Sequence, residues 1–397
     1  MKIAMFAGSL TRGGTERVVV TLAENFIKRG HEVLVVTPIK AENEYEISPS
    51  IKRIISDLTP DEMGGRIGNI FKRWKKLENI WRTEKTDVIL SFIGRNNFSA
   101  LISARRVDIP VAVAVRADPK MEYCSAKDRI MMKLLYPKAA AVILQTHDSE
   151  TFFPNNVRKL SVILKNPINP AFFEDYSDSC TGGAGSTTGS TDTAGSATDG
   201  TTGGNGNSTD TAASTHRIVS VGRIDENKNH RMLINAFNSI KDDIPEYSLE
   251  IIGEGELRNE LKALVKSLDI EDRVSLPGSC DNVAKKIYGA DLFVLCSDTE
   301  GVPNTLLEAM ALGIPAISTD CPCGGPKDII VPGKNGFLVP VGDAQSLADC
   351  MYKVLGDEEL RKSISLSAKE TASEFSEDKV VEEWLALAEK LHVQKEH

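Results

Sequence analysis

The chain has 397 residues, room for two or three domains with an ample core each, and its 41% apolar and 26% charged residues are those of a soluble globular protein. No apolar run reaches the roughly eighteen residues needed to cross a membrane. The net charge of −9 argues against general nucleic-acid binding, yet residues 1–174 carry 27 Lys and Arg against 19 Asp and Glu, so the first half is basic and suggests a local anionic partner.

Seven cysteines, an odd number without a Cys-x-x-Cys pair, indicate a reducing compartment. Cys321 and Cys323 flank a proline in a loop with no histidine near in sequence, which reads as two unpaired thiols. The start, Met1 to Leu10, is only briefly apolar and reads as a strand and loop, not a secretory signal.

Ile3 to Ala7 predicts a short buried strand, and Gly8 to Arg17 a loop leading into an amphipathic helix bearing Val18, Val19, Leu22, Ala23, Phe26 and Ile27. A basic last turn and Gly30 stop that helix before a second strand, His31 to Thr37, giving a βαβ unit. Gly8, Gly13 and Gly14 do not fit the GxGxxG dinucleotide fingerprint. Gly65 to Lys85 places Ile67, Ile70, Phe71, Trp74, Leu77 and Trp81 at helical spacing among seven Lys and Arg residues. Such a basic helix with tryptophans suits an anionic membrane surface, and equally a stripe packed on a sheet beneath solvated cations.

Further strands are expected at Asp87 to Ile93, Pro110 to Val115, Ala139 to Thr146 and Leu160 to Pro167. In an open α/β sheet, ligands gather beyond the carboxyl ends of the strands, which places Arg95, Asn96, Arg116 and Asp118 at a crevice. Arg116 can pair with a phosphate there, or form a surface ion pair. Residues 175–215 then change to Gly, Ser, Thr, Ala and Asp, a composition that cannot offset its own ordering entropy and is expected to be a flexible linker.

Ile218 to Gly222 opens a second α/β unit, and the turn after it carries Arg223 and Lys228, two cations able to hold a diphosphate. Leu249 to Glu256 is a strand and a glycine turn containing Gly253. Asp298 to Met310 organises this half: Glu300 sits on a Gly/Pro turn after an apolar strand, and Glu308 lies in the helix that follows. That helix is expected to start near Pro303 and Asn304, the proline in its first turn and the asparagine as cap, leaving free amides that attract an anion. Diphosphate on the amides and hydroxyls on the two carboxylates describe a nucleotide sugar.

The stretch Glu300-Gly-Val-Pro-Asn-Thr-Leu-Leu-Glu308-Ala-Met310 resembles retaining glycosyltransferases of family 4. So do Gly13-Gly14-Thr-Glu-Arg17, Arg223 with Lys228, Ile252-Gly-Glu-Gly-Glu256 and Cys323-Gly-Gly-Pro326, and together they extend the resemblance over nearly the whole chain outside the Ser/Thr/Gly tract. It implies the GT-B fold, two Rossmann-like domains facing a cleft. Residues 1–174 would form the acceptor side and 216–376 the nucleotide-sugar side, with a terminal helix over 377–397 crossing back.

The same resemblance implies transfer of a sugar from a UDP-sugar, a UDP-N-acetylhexosamine or UDP-hexose, with retention and without a protein nucleophile or other cofactor, and the absence of an Asp-x-Asp pair predicts no metal requirement. Arg223 and Lys228 would steady the leaving diphosphate, Glu300 the sugar hydroxyls and Glu308 the ribose. Gly13, Gly14, Gly253, Val283, Asn304, Thr305 and Leu306 would complete the donor site, with Arg95, Arg116 and Asp118 toward acceptor or phosphate. Many family members carry histidine where Arg116 stands, so no catalytic role passes to that position. The start of the chain and Arg116-Ala-Asp-Pro119 look most like bacterial enzymes that extend polyprenyl-diphosphate-linked glycans or exopolysaccharides, implying a cytoplasmic enzyme on the inner face of the membrane. A nucleotide-sugar epimerase and a non-catalytic nucleotide-sugar binder are the alternatives.

Overall fold

The structure is a computed structural model that describes residues 1–11, 13–176 and 216–396. The Ser/Thr/Gly tract lies, from residue 177 to 215, outside the described residues. Two wholly parallel sheets organise the rest.

The first sheet begins with β1 (Lys2–Phe6), α1 (Gly14–Lys28) and β2 (Glu32–Thr37). Gly30 ends α1 at φ +85°, a conformation that other residues resist. Its amide reaches Ile27 O at 2.9 Å and that of His31 reaches Phe26 O at 3.0 Å, the two bonds of a Schellman stop. After β3 (Lys52–Ile55) come α2 (Arg66–Thr83), β4 (Val88–Phe92), α3 (Gly94–Ala104), β5 (Val111–Ala114), α4 (Ala126–Leu135), β6 (Ala141–Leu144) and β7 (Ser161–Ile163). The strand order is β3-β2-β1-β4-β5-β6-β7. Every residue of β4 is buried, as expected of a strand that is apolar at all positions but Ser91 and covered on both faces.

The second sheet uses β8 (His216–Val221), α5 (His230–Ile240), β9 (Tyr247–Ile252), α6 (Arg258–Ser267), β10 (Val274–Gly278), β11 (Leu292–Leu295), α7 (Asn304–Ala311), β12 (Ala316–Thr319) and β13 (Phe337–Val339). Its order is β10-β9-β8-β11-β12-β13. Chain direction across each sheet therefore switches beside the first strand, between β1 and β4 and between β8 and β11. Crevices open at the carboxyl ends of such strand pairs.

Helices α8 (Ala344–Leu355), α9 (Glu358–Ser373) and α10 (Glu377–Glu396) complete the described chain. The last leaves the second sheet and buries Val380, Val381, Trp384, Ala388 and Leu391 in the core of the first. Trp384 stacks on Phe92 with ring centroids 5.7 Å apart and donates its Nε1 to Lys165 O at 3.1 Å. Burying one such side chain contributes about 2 to 3 kcal/mol, so α10 clamps the second half of the chain onto the first.

The single apolar stripe expected on α2 divides in two. Leu77 and Trp81 are buried, with Trp81 Nε1 donating to Ser103 Oγ at 2.9 Å, whereas Ile67 and Phe71 are 73% and 62% exposed. Part of the basic face is also engaged: Lys72 donates to Glu62 O at 2.7 Å, Arg73 pairs with Asp57 at 2.6 Å, and Lys76 pairs with Glu62 at 2.9 Å. The C-terminal turns lie on the sheet, and the N-terminal turns project past it, held by the loop in front. Among the described residues, no helix is long and apolar enough to cross a membrane.

Candidate active site

Residues after β8 and β11 form the base of the site. Beyond Gly222 the chain turns through Arg223 and Asp225 into a short turn, Glu226–Lys228, whose Lys228 amide is capped by Asp225 at 3.1 Å. The Gly253-Glu-Gly255 turn after β9 lies directly against this segment. A Cβ on Gly253 would strike the Gly222 carbonyl, and one on Gly255 the carbonyl of Ile224. Gly253 thus stacks two backbone turns, and this contact fixes where the cation-bearing turn stands.

Lys228 Nζ lies 2.5 Å from Glu300 Oε1, and Ser297 Oγ donates to the same oxygen at 2.6 Å. The turn and the loop are stitched together beside them. Asn227 Nδ2 reaches Thr299 O at 3.1 Å, Asp298 N reaches Asn227 O at 2.8 Å, and Asn229 Nδ2 reaches Asp298 at 3.0 Å. Gly325 packs on Gly301 with no space for a Cβ, which holds the Glu300 loop from the other side. Arg223 stands apart: its side chain is 77% exposed and pairs with Asp225 at 3.1 Å. Buried behind Lys228, His230 has its imidazole pushed down to about 4, by burial first and the Lys228 charge second.

Helix α7 departs from the capping expected of it. Pro303 occupies the cap position and Asn304 the first helical position, with no side-chain cap, so the opening amides of Asn304 and Thr305 lack an intrahelical acceptor. The Asn304 side chain instead accepts from Asn166 Nδ2 at 2.9 Å, across from the first domain. A Cβ on Gly14 would stand 3.3 Å from Asn304 Nδ2. Helix α1 likewise has no side-chain cap at Gly13, so two uncapped helix starts meet in the cleft with their positive ends together. Thr305 is half-buried, Leu306 lies in the core beneath, and Val283 is partly buried against that core.

Glu308, 4% exposed, sits 2.7 Å from Arg17 Nη2 of the opposite domain. The contact is close but poorly aligned, leaving Oε1 shut from solvent without a well-directed hydrogen bond. Burial raises the carboxyl above its ordinary range, and Arg17 draws it part of the way back.

In the first domain, a cavity of about 520 Å³ is lined by Thr15, Gly94, Asn96, Arg116, Met121 and Glu122, among others. Arg116 is not the surface ion pair weighed from the sequence. Its Nη2 donates to Asn166 at 2.6 Å, its guanidinium lies 5.9 Å from the Trp384 ring, and Nε and Nη1 are shut from solvent without a hydrogen-bond partner among the described residues. Burial pushes the group down to about 10. Glu122 accepts from Gly94 N at 2.6 Å and Tyr123 Oη at 2.9 Å, and burial raises its carboxyl. Ile93, a β-branched residue at φ +71°, strains the backbone just before α3. Arg95 is turned outward, 88% exposed, and Asp118 caps the short Pro119–Glu122 turn through Lys120 N.

Sequence reading missed Arg17, Gln145, Asn166, Ser297 and Glu122 as members of this constellation. Asn166 Oδ1 accepts from both Arg116 and Gln145, the latter at 2.9 Å, so it links the first-domain cavity to the start of α7. A signal existed for Gln145 and Asn166, since both follow the carboxyl end of a strand.

A cleft of this form, between two doubly wound parallel sheets, is that of a GT-B glycosyltransferase. Residues 12–163 match the model of Glycosyltransferase Family 4 and residues 208–371 that of Glycosyl transferases group 1, and the chain belongs to the family-4 glycosyltransferases. It is 27% identical over 391 residues, 98% of both chains, to a Campylobacter jejuni enzyme described as a GalNAc-alpha-(1->4)-GalNAc-alpha-(1->3)-diNAcBac-PP-undecaprenol alpha-1,4-N-acetyl-D-galactosaminyltransferase. A second enzyme of that organism, N-acetylgalactosamine-N,N'-diacetylbacillosaminyl-diphospho-undecaprenol 4-alpha-N-acetylgalactosaminyltransferase, is 28% identical over 97% of this chain and 98% of its own. In fold, the chain is similar to Anabaena HepE in complex with UDP, with TM-score 0.77 at 17% identity, covering 97% of this chain and 99% of that one.

Proposed function

We propose that the protein transfers a hexose or N-acetylhexosamine from a UDP-sugar to a glycan carried on a polyprenyl diphosphate or to a growing polysaccharide, with retention at the anomeric carbon. The observation that carries this reading is the Lys228–Glu300 pair at 2.5 Å beside two uncapped helix starts. An ammonium and free amides suit a diphosphate, and a carboxylate suits the hydroxyls of the sugar it bears.

In this reading Lys228, with three N–H donors, keeps one on Glu300 and turns the others to the diphosphate, joined by the amides of Asn304 and Thr305 and by Arg223 once it leaves Asp225. Glu300 orients the donor sugar and Glu308 the ribose. The bond from the anomeric carbon to the phosphate oxygen breaks, a bond to the acceptor oxygen forms on the same face, and the acceptor proton passes to the departing phosphate. Fixed charge around the leaving group supplies the acceleration, so no protein nucleophile or metal is required. Arg116 and Asp118 border the acceptor side, with Arg95 at its rim. The two Campylobacter relatives, named for undecaprenyl-diphosphate substrates, support the choice of acceptor.

The test is mass spectrometry of products from a panel of UDP-sugars and lipid-diphosphate glycans, run with and without chelator. Glu300→Gln and Lys228→Ala are each expected to lower transfer by about a hundredfold or more. Donor altered without acceptor would indicate an epimerase, and UDP binding without turnover a binder. Loss of activity to chelator, restored by manganese, would contradict the metal-free mechanism.

A further inference from the structure

We propose that Arg17 is a positioning residue for the nucleotide: reaching across the cleft, it holds Glu308 in the ionised form that accepts ribose hydroxyls, so the ribose is gripped only when the two domains are together. The inference rests on the nucleotide reading above and adds to it a residue from the opposite domain.

Geometry carries the argument. Glu308 is on α7 and Arg17 on α1, 2.7 Å apart, and the carboxylate side chain is only 6% exposed. A carboxylate so enclosed is expensive to keep charged without a counter-ion, and a protonated carboxyl is a poor acceptor for two hydroxyls. Among the described residues, Arg17 is the one charged side chain acting on it. The other charges around α7 are committed elsewhere. Glu300 is on Lys228, Asp298 on Asn229, Lys286 on Glu250, and Lys369 of α9 lies against Gly313. Burial and Arg17 pull the Glu308 carboxyl in opposite directions, so removing Arg17 leaves burial alone and favours the proton. The poor alignment of the pair leaves Oε1 able to take a better-directed donor.

Binding of UDP and of 2′,3′-dideoxy-UDP to the full chain tests this, because both ligands share a diphosphate and only one has ribose hydroxyls. In the native protein, the preference for UDP over the dideoxy form is expected to be flat between about pH 7 and about pH 9. Arg17→Met should cut that preference by about tenfold at the lower pH and regain it toward the higher. Arg17→Lys should keep most of it, and Glu308→Gln should lose it at every pH. Arg17→Gln, which is shorter and keeps an N–H donor without the charge, gives the same reading if the Met variant does not fold. The inference is overturned if Arg17→Met weakens both ligands equally, as loss of a phosphate contact would, or leaves the preference unchanged. A native protein that binds neither nucleotide would sink the nucleotide reading itself, a result distinct from native binding that Arg17 does not influence.

Discussion

His230 shows how one buried side chain ties stability to pH. Its folded value of about 4 lies below the ordinary histidine value of 6.5, so the unfolded chain takes up the proton first as pH falls. Its contribution is complete above 6.5 and is lost as pH drops toward about 4, a swing of roughly 3 kcal/mol. Urea unfolding of His230→Gln across that window is expected to show a shallower fall than the native chain, and parallel curves would contradict the assignment. The glycines of the Gly253-Glu-Gly255 turn act through space: Gly255→Ala should cost about 2 to 3 kcal/mol in the same experiment, because the added methyl meets backbone and not a yielding side chain. From the sequence this turn reads as a ligand loop, since a glycine needed for backbone stacking has the same letter as one needed for a phosphate.

At the scale of elements, most of the architecture is legible in the chain. Runs such as Val88 to Phe92 are apolar but for Ser91 because parallel strands are covered on both faces, and Gly30 marks a helix stop through its positive φ. Helix α2 is legible only in part. Periodicity gives the stripe from Ile67 to Trp81, but where the sheet beneath it ends depends on the docking of other strands. The exposed Ile67 and Phe71, with Lys75 beside them, are the face that we propose meets an anionic membrane on its inner side. Ile67→Ser with Phe71→Ser should lower binding to anionic vesicles about tenfold or more while leaving the melting temperature nearly unchanged, and unaltered binding would remove the proposal. Lys76→Glu is a poor probe of lipid, since it sets a like charge against Glu62 and should destabilise the loop whether or not a membrane is present. For α10, Trp384→Ala should cost about 3 to 5 kcal/mol, read from chemical unfolding, because the ring fills the space between Phe92 and Arg116.

Across the whole molecule, the site is legible where it is local and hidden where docking makes it. Glu300 and Glu308 announce themselves by a strand, a turn and a helix, and the Lys228 turn does so by the same logic. Arg17, Gln145 and Asn166 enter only because the two sheets meet: the Asn166–Asn304 hydrogen bond joins residues 138 apart in sequence, a pairing no local pattern encodes. Both topological switch points open on the same cleft, where Arg17 and Asn166 of the first sheet's domain meet Glu308 and Asn304 of the second. Arg116→Met, which cuts the link through Asn166 to α7, is expected to lower transfer about tenfold through the acceptor's KM, while UDP affinity changes by less than about twofold. A structure of the protein with UDP bound tests the central claim most directly. The diphosphate should lie within hydrogen-bonding distance of Lys228 Nζ and the first amides of α7, with the ribose hydroxyls on Glu308. UDP held elsewhere, with Lys228 and Glu308 both out of its reach, would contradict the account.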